Sequence, residues 1–136
     1  MGRRPLREEP LDKLRQFFEH LKLASSDRAV LVEKPAIKRM LEARDVKNIF
    51  VLKEPLFELA EKIASKFEEC IILLDVDSRG EKLYRKVKSE LERAGLHIDQ
   101  RFRNFLYHIE AKTVDSLISY AEKYLSTALP KRRINL

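Results

Sequence analysis

The chain has 136 residues, of which 44% are hydrophobic and 37% charged, a balance that predicts one globular domain and excludes a disordered chain. Its 28 lysine and arginine residues exceed its 22 aspartate and glutamate residues, and the formal charge of +6 favours polyanionic partners. No apolar run approaches the roughly 20 residues of a membrane span. Cys70 is the single cysteine, which excludes an internal disulfide and predicts a cytoplasmic protein. Asparagine and glutamine are few, as in thermophile proteins.

Predicted helices and strands alternate along the chain. An N-terminal helix is expected from Pro10, because proline is favoured in a first turn and the following apolar residues share one face. Pro35, Pro55 and Gly80 lie at the starts of three further helices, and Gly95 ends the third of them. A last amphipathic helix covers residues 113–125. The predicted strands are residues 29–33, 48–52, 70–75 and 95–99.

This alternation predicts an α/β fold with a central, mostly parallel four-stranded sheet flanked by helices and an extra N-terminal helix. The segment 70–75 is apolar on both faces, which is typical of a central parallel strand. The expected organisation is a helical extension over residues 1–28, the α/β domain over 29–128 and a basic tail over 129–136.

Acidic residues follow two of the predicted strands. Glu33 ends the first strand, and Asp75 and Asp77 follow the third. Parallel strands end at the same edge of a sheet, so the three carboxylates converge if these strands are neighbours. Clustered anions repel unless a cation neutralises them, and hard oxygen ligands suit Mg²⁺, with Mn²⁺ as a substitute. The alternative is helix capping, because Ser78 and Glu81 have the spacing of a capping box.

A strand-ending Glu33, then Asp75-Val76-Asp77 after a later strand, then Gly80, resembles the Toprim domain of topoisomerases, primases, recombination proteins and certain ribonucleases. The resemblance covers residues 29–106 and implies a Rossmann-like Toprim fold.

The Toprim resemblance implies that Asp75 and Asp77 hold Mg²⁺, with Glu33 as a third ligand or as the acid/base of phosphoryl transfer. Toprim domains usually have glycine directly after the glutamate, whereas this chain has Lys34 and Pro35. Small stand-alone Toprim proteins are most similar in size, which implies a metal-dependent nuclease of the ribonuclease kind. A non-catalytic, metal-binding module that binds nucleic acid or a ribonucleoprotein is the second hypothesis, and a degenerate Toprim fold kept as a structural subunit is the third.

The expected partner is RNA or DNA, alone or within a larger ribonucleoprotein or repair complex. A glycine at a helix start lets a phosphate approach the backbone, and basic side chains near the same edge bind phosphates. A solvated, salt-bridged helix face is the alternative for the basic residues. The candidate phosphate contacts are Gly80, Arg79, Lys82, Arg85, Arg101 and Arg103.

Other functional classes fit the sequence less well. Haloacid-dehalogenase phosphatases place their Asp-x-Asp on the first strand, and receiver domains need an acidic pair after it. The three glycines, at positions 2, 80 and 95, exclude a phosphate-binding P-loop or a dinucleotide fingerprint. The three histidines lack the spacing of a zinc site.

Overall fold

The computed structural model describes residues 8–109 and 112–125, which form an α/β fold. The basic tail predicted over residues 129–136 lies outside these residues. The elements in chain order are α1 (Glu8–Ala24), β1 (Ala29–Val32), α2 (Pro35–Glu42), β2 (Ile49–Val51), α3 (Leu56–Ala64), β3 (Glu69–Leu73), α4 (Ser78–Arg93), β4 (His97–Ile98), α5 (Arg101–Leu106) and α6 (Val114–Tyr124).

The four strands form one sheet in the order β2-β1-β3-β4, and every neighbouring pair is parallel. The α/β prediction, with a four-stranded sheet and an N-terminal helix, is therefore confirmed. β1 and β3 are the two central strands, paired from Ala29 with Cys70 to Val32 with Leu73. All side chains of β1 are buried, as expected for a central parallel strand with helices on both faces.

Alternate residues of the central strands divide the core into two layers. Val30, Val32, Ile71 and Leu73 pack against helices α1, α2, α5 and α6. Leu31 and Ile72 point to the other face, where α3 and α4 pack. The helix after β1 and the helix after β3 consequently leave the sheet on opposite faces.

Two elements differ from the sequence expectation. β4 has only two residues and pairs with Glu69 and Cys70, at the beginning of β3. Helix α5 was not predicted, because its six residues are too few for a helical period to be recognised. Within residues 8–109 and 112–125, no helix combines the length and the apolar character needed to cross a membrane.

Candidate active site at the carboxyl edge of the sheet

The carboxyl ends of β1 and β3 form the point at which the chain leaves the sheet in two directions. Parallel α/β sheets bind their ligands at such a point. Glu33 directly follows β1, and Asp75 lies two residues beyond the end of β3. The structure therefore brings these two predicted site residues to the same edge.

Glu33 and Asp75 both contact the guanidinium of Arg79. Arg79 Nη1 and Nη2 donate to the two carboxylate oxygens of Glu33 at 2.9 Å each, and Nη2 donates to Asp75 Oδ2 at 3.4 Å. The bond to Glu33 raises the pKa of Arg79 above its ordinary value. An arginine thus supplies the positive charge that two converging carboxylates require.

Asp75 is held from several directions. Its Oδ1 accepts a hydrogen bond of 2.9 Å from the backbone N–H of Val114, the first residue of α6. The next residue, Val76, donates its backbone N–H to the carbonyl of Lys112 at 3.0 Å. These bonds attach the loop after β3 to the start of α6, which fixes the direction of the Asp75 side chain.

Asp77 has a different role in the structure. It is the N-cap of α4, and its Oδ1 accepts the backbone N–H of Gly80 at 2.8 Å. Among the described residues, no three histidine, cysteine, aspartate or glutamate side chains lie close enough together to hold a metal ion. The structure therefore brings Glu33 and Asp75 together without Asp77, and a helix cap is formed by Asp77 and not by Ser78.

Gly80 allows the first turn of α4 to pack against the end of β3. A Cβ atom at this position would lie 2.6 Å from the carbonyl carbon of Asp75, 2.9 Å from its Cβ and closer still to its carbonyl oxygen. The backbone of Asp75 therefore leaves no room for a side chain at position 80. A contact of Gly80 with phosphate stays a prediction.

Arg103 is buried, with 2% of its surface exposed. Its Nη1 and Nη2 donate to the carbonyl oxygens of Leu74 and Asp75 at 2.7 and 3.1 Å, and Nη2 lies 3.2 Å from Glu81 Oε1. The guanidinium also stacks 3.9 Å from the ring centre of Tyr84. The structure therefore does not present Arg103 as a surface contact for phosphate; it supports the backbone that carries Asp75.

Glu81 completes this support. It accepts a hydrogen bond from the hydroxyl of Tyr107, and this bond, with the nearby Arg103, lowers the pKa of Glu81. Sequence reasoning missed this role for Tyr107 and Arg103. The only signal was an arginine between the apolar residues Phe102 and Leu106, both of which are buried.

The remaining candidate phosphate contacts lie in two places. Lys82 and Arg85 are exposed on α4, so they remain available to a partner. Arg101 donates to both carboxylate oxygens of Asp99 at 2.9 and 2.7 Å. It lies near Arg28, which precedes β1, and Glu69, which begins β3. Because β4 pairs with the beginning of β3, Arg101 is not at the edge that carries Asp75, contrary to expectation.

Lys34 and Pro35 also have a local explanation. Pro35 occupies the first turn of α2, where its missing N–H costs nothing. Lys34, which precedes it, has extended backbone angles (φ −129°, ψ 149°), as a residue before proline prefers. The departure from the usual Toprim glycine therefore directs the chain from Glu33 into a helix.

The carboxylate oxygens of Glu33 and Asp75 are ligands of the type that divalent cations such as Mg²⁺ prefer. Both residues offer hard oxygen ligands, and Mg²⁺ is commonly bound through one or two carboxylates, water and substrate phosphates. The guanidinium of Arg79 already occupies the position of a cation between them. The described edge therefore offers two carboxylates at a position that a positively charged group occupies.

The described residues leave only a small depression at this edge. A depression of about 20 Å³ lies beside the two carboxylates, far below the 300–1,000 Å³ of a small-molecule pocket. It is lined by Glu33, Lys34, Ile37, Leu73, Leu74, Asp75, Val114 and Asp115.

Comparison with known proteins identifies relatives of nearly the same length. The chain is 33% identical to the UPF0292 protein of Pyrococcus abyssi over 90% of this chain and 86% of that protein. It is 29% identical to the UPF0292 protein of Methanocaldococcus jannaschii over 88% of this chain and 98% of that protein. A solved structure from Aquifex aeolicus has a TM-score of 0.71 at 30% identity, covering 76% of this chain and 96% of the solved one. No protein-family model matches the chain.

Proposed function

The chain belongs to the UPF0292 protein family. From the geometry of its sheet edge, we propose that it is a Mg²⁺-dependent nucleic-acid-processing protein of Toprim type that cleaves phosphodiester bonds, as ribonucleases do. One observation carries the proposal: Glu33 and Asp75, from neighbouring strands, converge on one cation position at the sheet edge. Mn²⁺ is expected to substitute for Mg²⁺.

Different roles are proposed for the two carboxylates. Asp75 would be the fixed ligand, because Val114 already orients its side chain. Glu33 has contacts with the half-exposed Arg79, so its carboxylate is the better candidate to accept or donate a proton at the reacting oxygen. The cation, when bound, neutralises and polarises the phosphate.

The open shape of the edge and the charge of the chain favour a nucleic acid as the substrate. A polymer contacts a flat edge from outside, whereas a small metabolite needs an enclosing pocket. The exposed residues Lys82 and Arg85 lie on α4, the helix that begins next to Asp75. Binding through such residues would decrease steeply as the salt concentration rises.

The experiment is cleavage of structured RNA, duplex DNA and single strands in the presence of Mg²⁺ or Mn²⁺. We expect metal-dependent products from the wild type and none from Glu33→Gln, with binding of the substrate retained. Glu42→Gln is the matched control, because Glu42 is an exposed α2 carboxylate paired with Lys38 at 2.9 Å. Equal products from wild type and Glu33→Gln would contradict the proposal by indicating a contaminating nuclease.

A second function, a metal-binding nucleic-acid module without turnover, is favoured by one specific observation. Asp77 is used as the cap of α4, which leaves a pair of carboxylates where the Toprim resemblance implies three. Salt-sensitive binding that depends on Mg²⁺, without products from any substrate, would identify this function.

A further inference from the structure

Arg79 has contacts that a simple surface arginine would not need. It binds both oxygens of Glu33 and also reaches Asp75, although 57% of its side chain is exposed. We propose that Arg79 is an exchangeable counter-ion: it neutralises Glu33 and Asp75 in the metal-free protein, leaves them when a divalent cation binds, and then contacts the substrate phosphate. This inference rests on the proposed function, since it concerns the same carboxylates.

The existing contacts of the two carboxylates favour an exchange. Both oxygens of Glu33 accept from Arg79, Oδ2 of Asp75 accepts from Arg79, and Oδ1 accepts from Val114. Every oxygen of the pair therefore already has a donor. A guanidinium and a divalent cation at the same carboxylates also repel each other. Each carboxylate oxygen keeps a second lone pair, so this repulsion, and not a lack of free lone pairs, is what favours the departure of the guanidinium when a cation binds.

Arg79 is the donor that can leave. Its side chain is more than half exposed, whereas Val114 is buried, with 4% exposed, and its N–H belongs to the first turn of α6. The backbone of Arg79 is fixed in the first turn of α4, which Asp77 caps. The side chain can therefore rotate away without movement of the helix.

Release places the guanidinium where a phosphate is expected. Arginine binds phosphate through two parallel hydrogen bonds, as Arg79 binds Glu33 in this structure. The N-terminus of α4, next to Arg79, also favours an anion. Metal binding would thus increase the affinity for a nucleic acid, and the nucleic acid would increase the affinity for metal to the same extent.

The direct test follows the side chain of Arg79 by NMR during titration of ¹⁵N-labelled protein with Mg²⁺. The Nε–H signal of Arg79, identified by its absence in Arg79→Lys, is expected to shift and to saturate at the same Mg²⁺ concentration as the backbone signal of Asp75. A saturating change at Asp75 with an unchanged Arg79 signal would overturn the exchange and leave the proposed metal site intact. No change at either residue would refute both proposals.

A second test measures Mn²⁺ affinity by electron paramagnetic resonance. Arg79→Gln lacks the guanidinium that competes with the metal for the two carboxylates. It is therefore expected to bind Mn²⁺ about three- to tenfold more tightly than the wild type, the range expected for an exposed ion pair and for coupling between two sites. Lys86→Gln is the control: it removes the same charge from an exposed position of α4 that contacts neither carboxylate in the described structure. Equal affinities for wild type and Arg79→Gln, or an equal gain in Lys86→Gln, would refute the exchange.

Binding to a fluorescent single-stranded oligonucleotide tests the second half of the proposal. Wild type is expected to bind more tightly with Mg²⁺ than without it, whereas Arg79→Gln should lose most of this increase although it binds the metal. An undiminished increase in Arg79→Gln would show that another group receives the phosphate.

Discussion

Gly80→Ala tests whether α4 packs as closely on the end of β3 as the structure indicates. The new methyl carbon would lie 2.6 Å from the carbonyl carbon of Asp75 and closer still to its carbonyl oxygen. Carbon–oxygen contacts between backbone groups are usually about 3.3 Å or longer. The Asp75 atoms in this clash are its backbone carbonyl group and its Cβ atom, and none of them moves when a side chain changes rotamer. A change of rotamer therefore cannot remove the clash. Helix α4 would have to move away from Asp75.

The expected loss of stability follows from two opposing effects. Alanine is favoured over glycine inside a helix by about 1 kcal/mol. Overpacking of a tight contact costs about 1–3 kcal/mol and occasionally more, and a clash between backbone atoms belongs at the upper end. We therefore expect Gly80→Ala to lower the free energy of unfolding by about 2 kcal/mol.

Urea unfolding measures this difference, and Gly95→Ala is the matched control. Gly95 has a φ of +99°, and apart from its two chain neighbours no described atom lies within 4 Å of the place that a Cβ would occupy. Alanine there is therefore disfavoured by conformation alone, at about 1–2 kcal/mol. If the proposed Mg²⁺ site is present, Gly80→Ala should also weaken Mg²⁺ binding, because α4, which carries Arg79, moves relative to Asp75, whereas Gly95→Ala should not. A Gly80→Ala protein as stable as the wild type would refute the close packing.

Three further predictions concern stability and reactivity. Arg103→Met should lower the unfolding free energy by about 3 kcal/mol in urea, because Glu81 and two carbonyls lose a buried donor; a loss below about 1 kcal/mol would contradict this. The hydrogen bond from Arg101 lowers the pKa of Asp99. The wild type should therefore exceed Asp99→Asn in unfolding free energy by the full amount above pH 3.8, and this difference should disappear as the pH falls through the lowered pKa. A difference that does not depend on pH would exclude this linkage. Burial raises the pKa of Cys70 to about 12, so a thiol reagent at about pH 8 should modify native protein far more slowly than urea-unfolded protein; equal rates would contradict the burial.

The sequence was sufficient to predict the sheet, and it predicted that Glu33, Asp75 and Asp77 converge on the condition that the first and third strands are neighbours. Apolar segments of strand length alternate with amphipathic helices, and this pattern depends on local composition. Glu33 and Asp75 then meet because parallel strands end at one edge and β1 lies beside β3. These features follow from periodicity and from general rules of α/β folds.

The partners of the arginines could not be predicted in the same way. Arg79 pairs with Glu33, which is 46 positions away in the chain, and Arg103 binds carbonyls 28 and 29 positions away. No local pattern specifies such pairs, because they depend on where α4 and α5 pack against the sheet. A basic residue near a predicted site therefore gave the same signal whether it faced solvent, as Arg85 does, or was buried.

The contacts around Asp75 indicate why the two carboxylates are not equivalent. Its carbonyl accepts from Arg103, its Oδ1 accepts from Val114, and its backbone packs against Gly80. A solvated loop residue has no need of three independent restraints, whereas a metal ligand gains affinity when its orientation is fixed before binding. Glu33 lacks these restraints in the described structure and is paired with an arginine that can leave. We infer that Asp75 is the rigid part of the site and that Glu33 and Arg79 are the part that changes when a cation and a substrate bind.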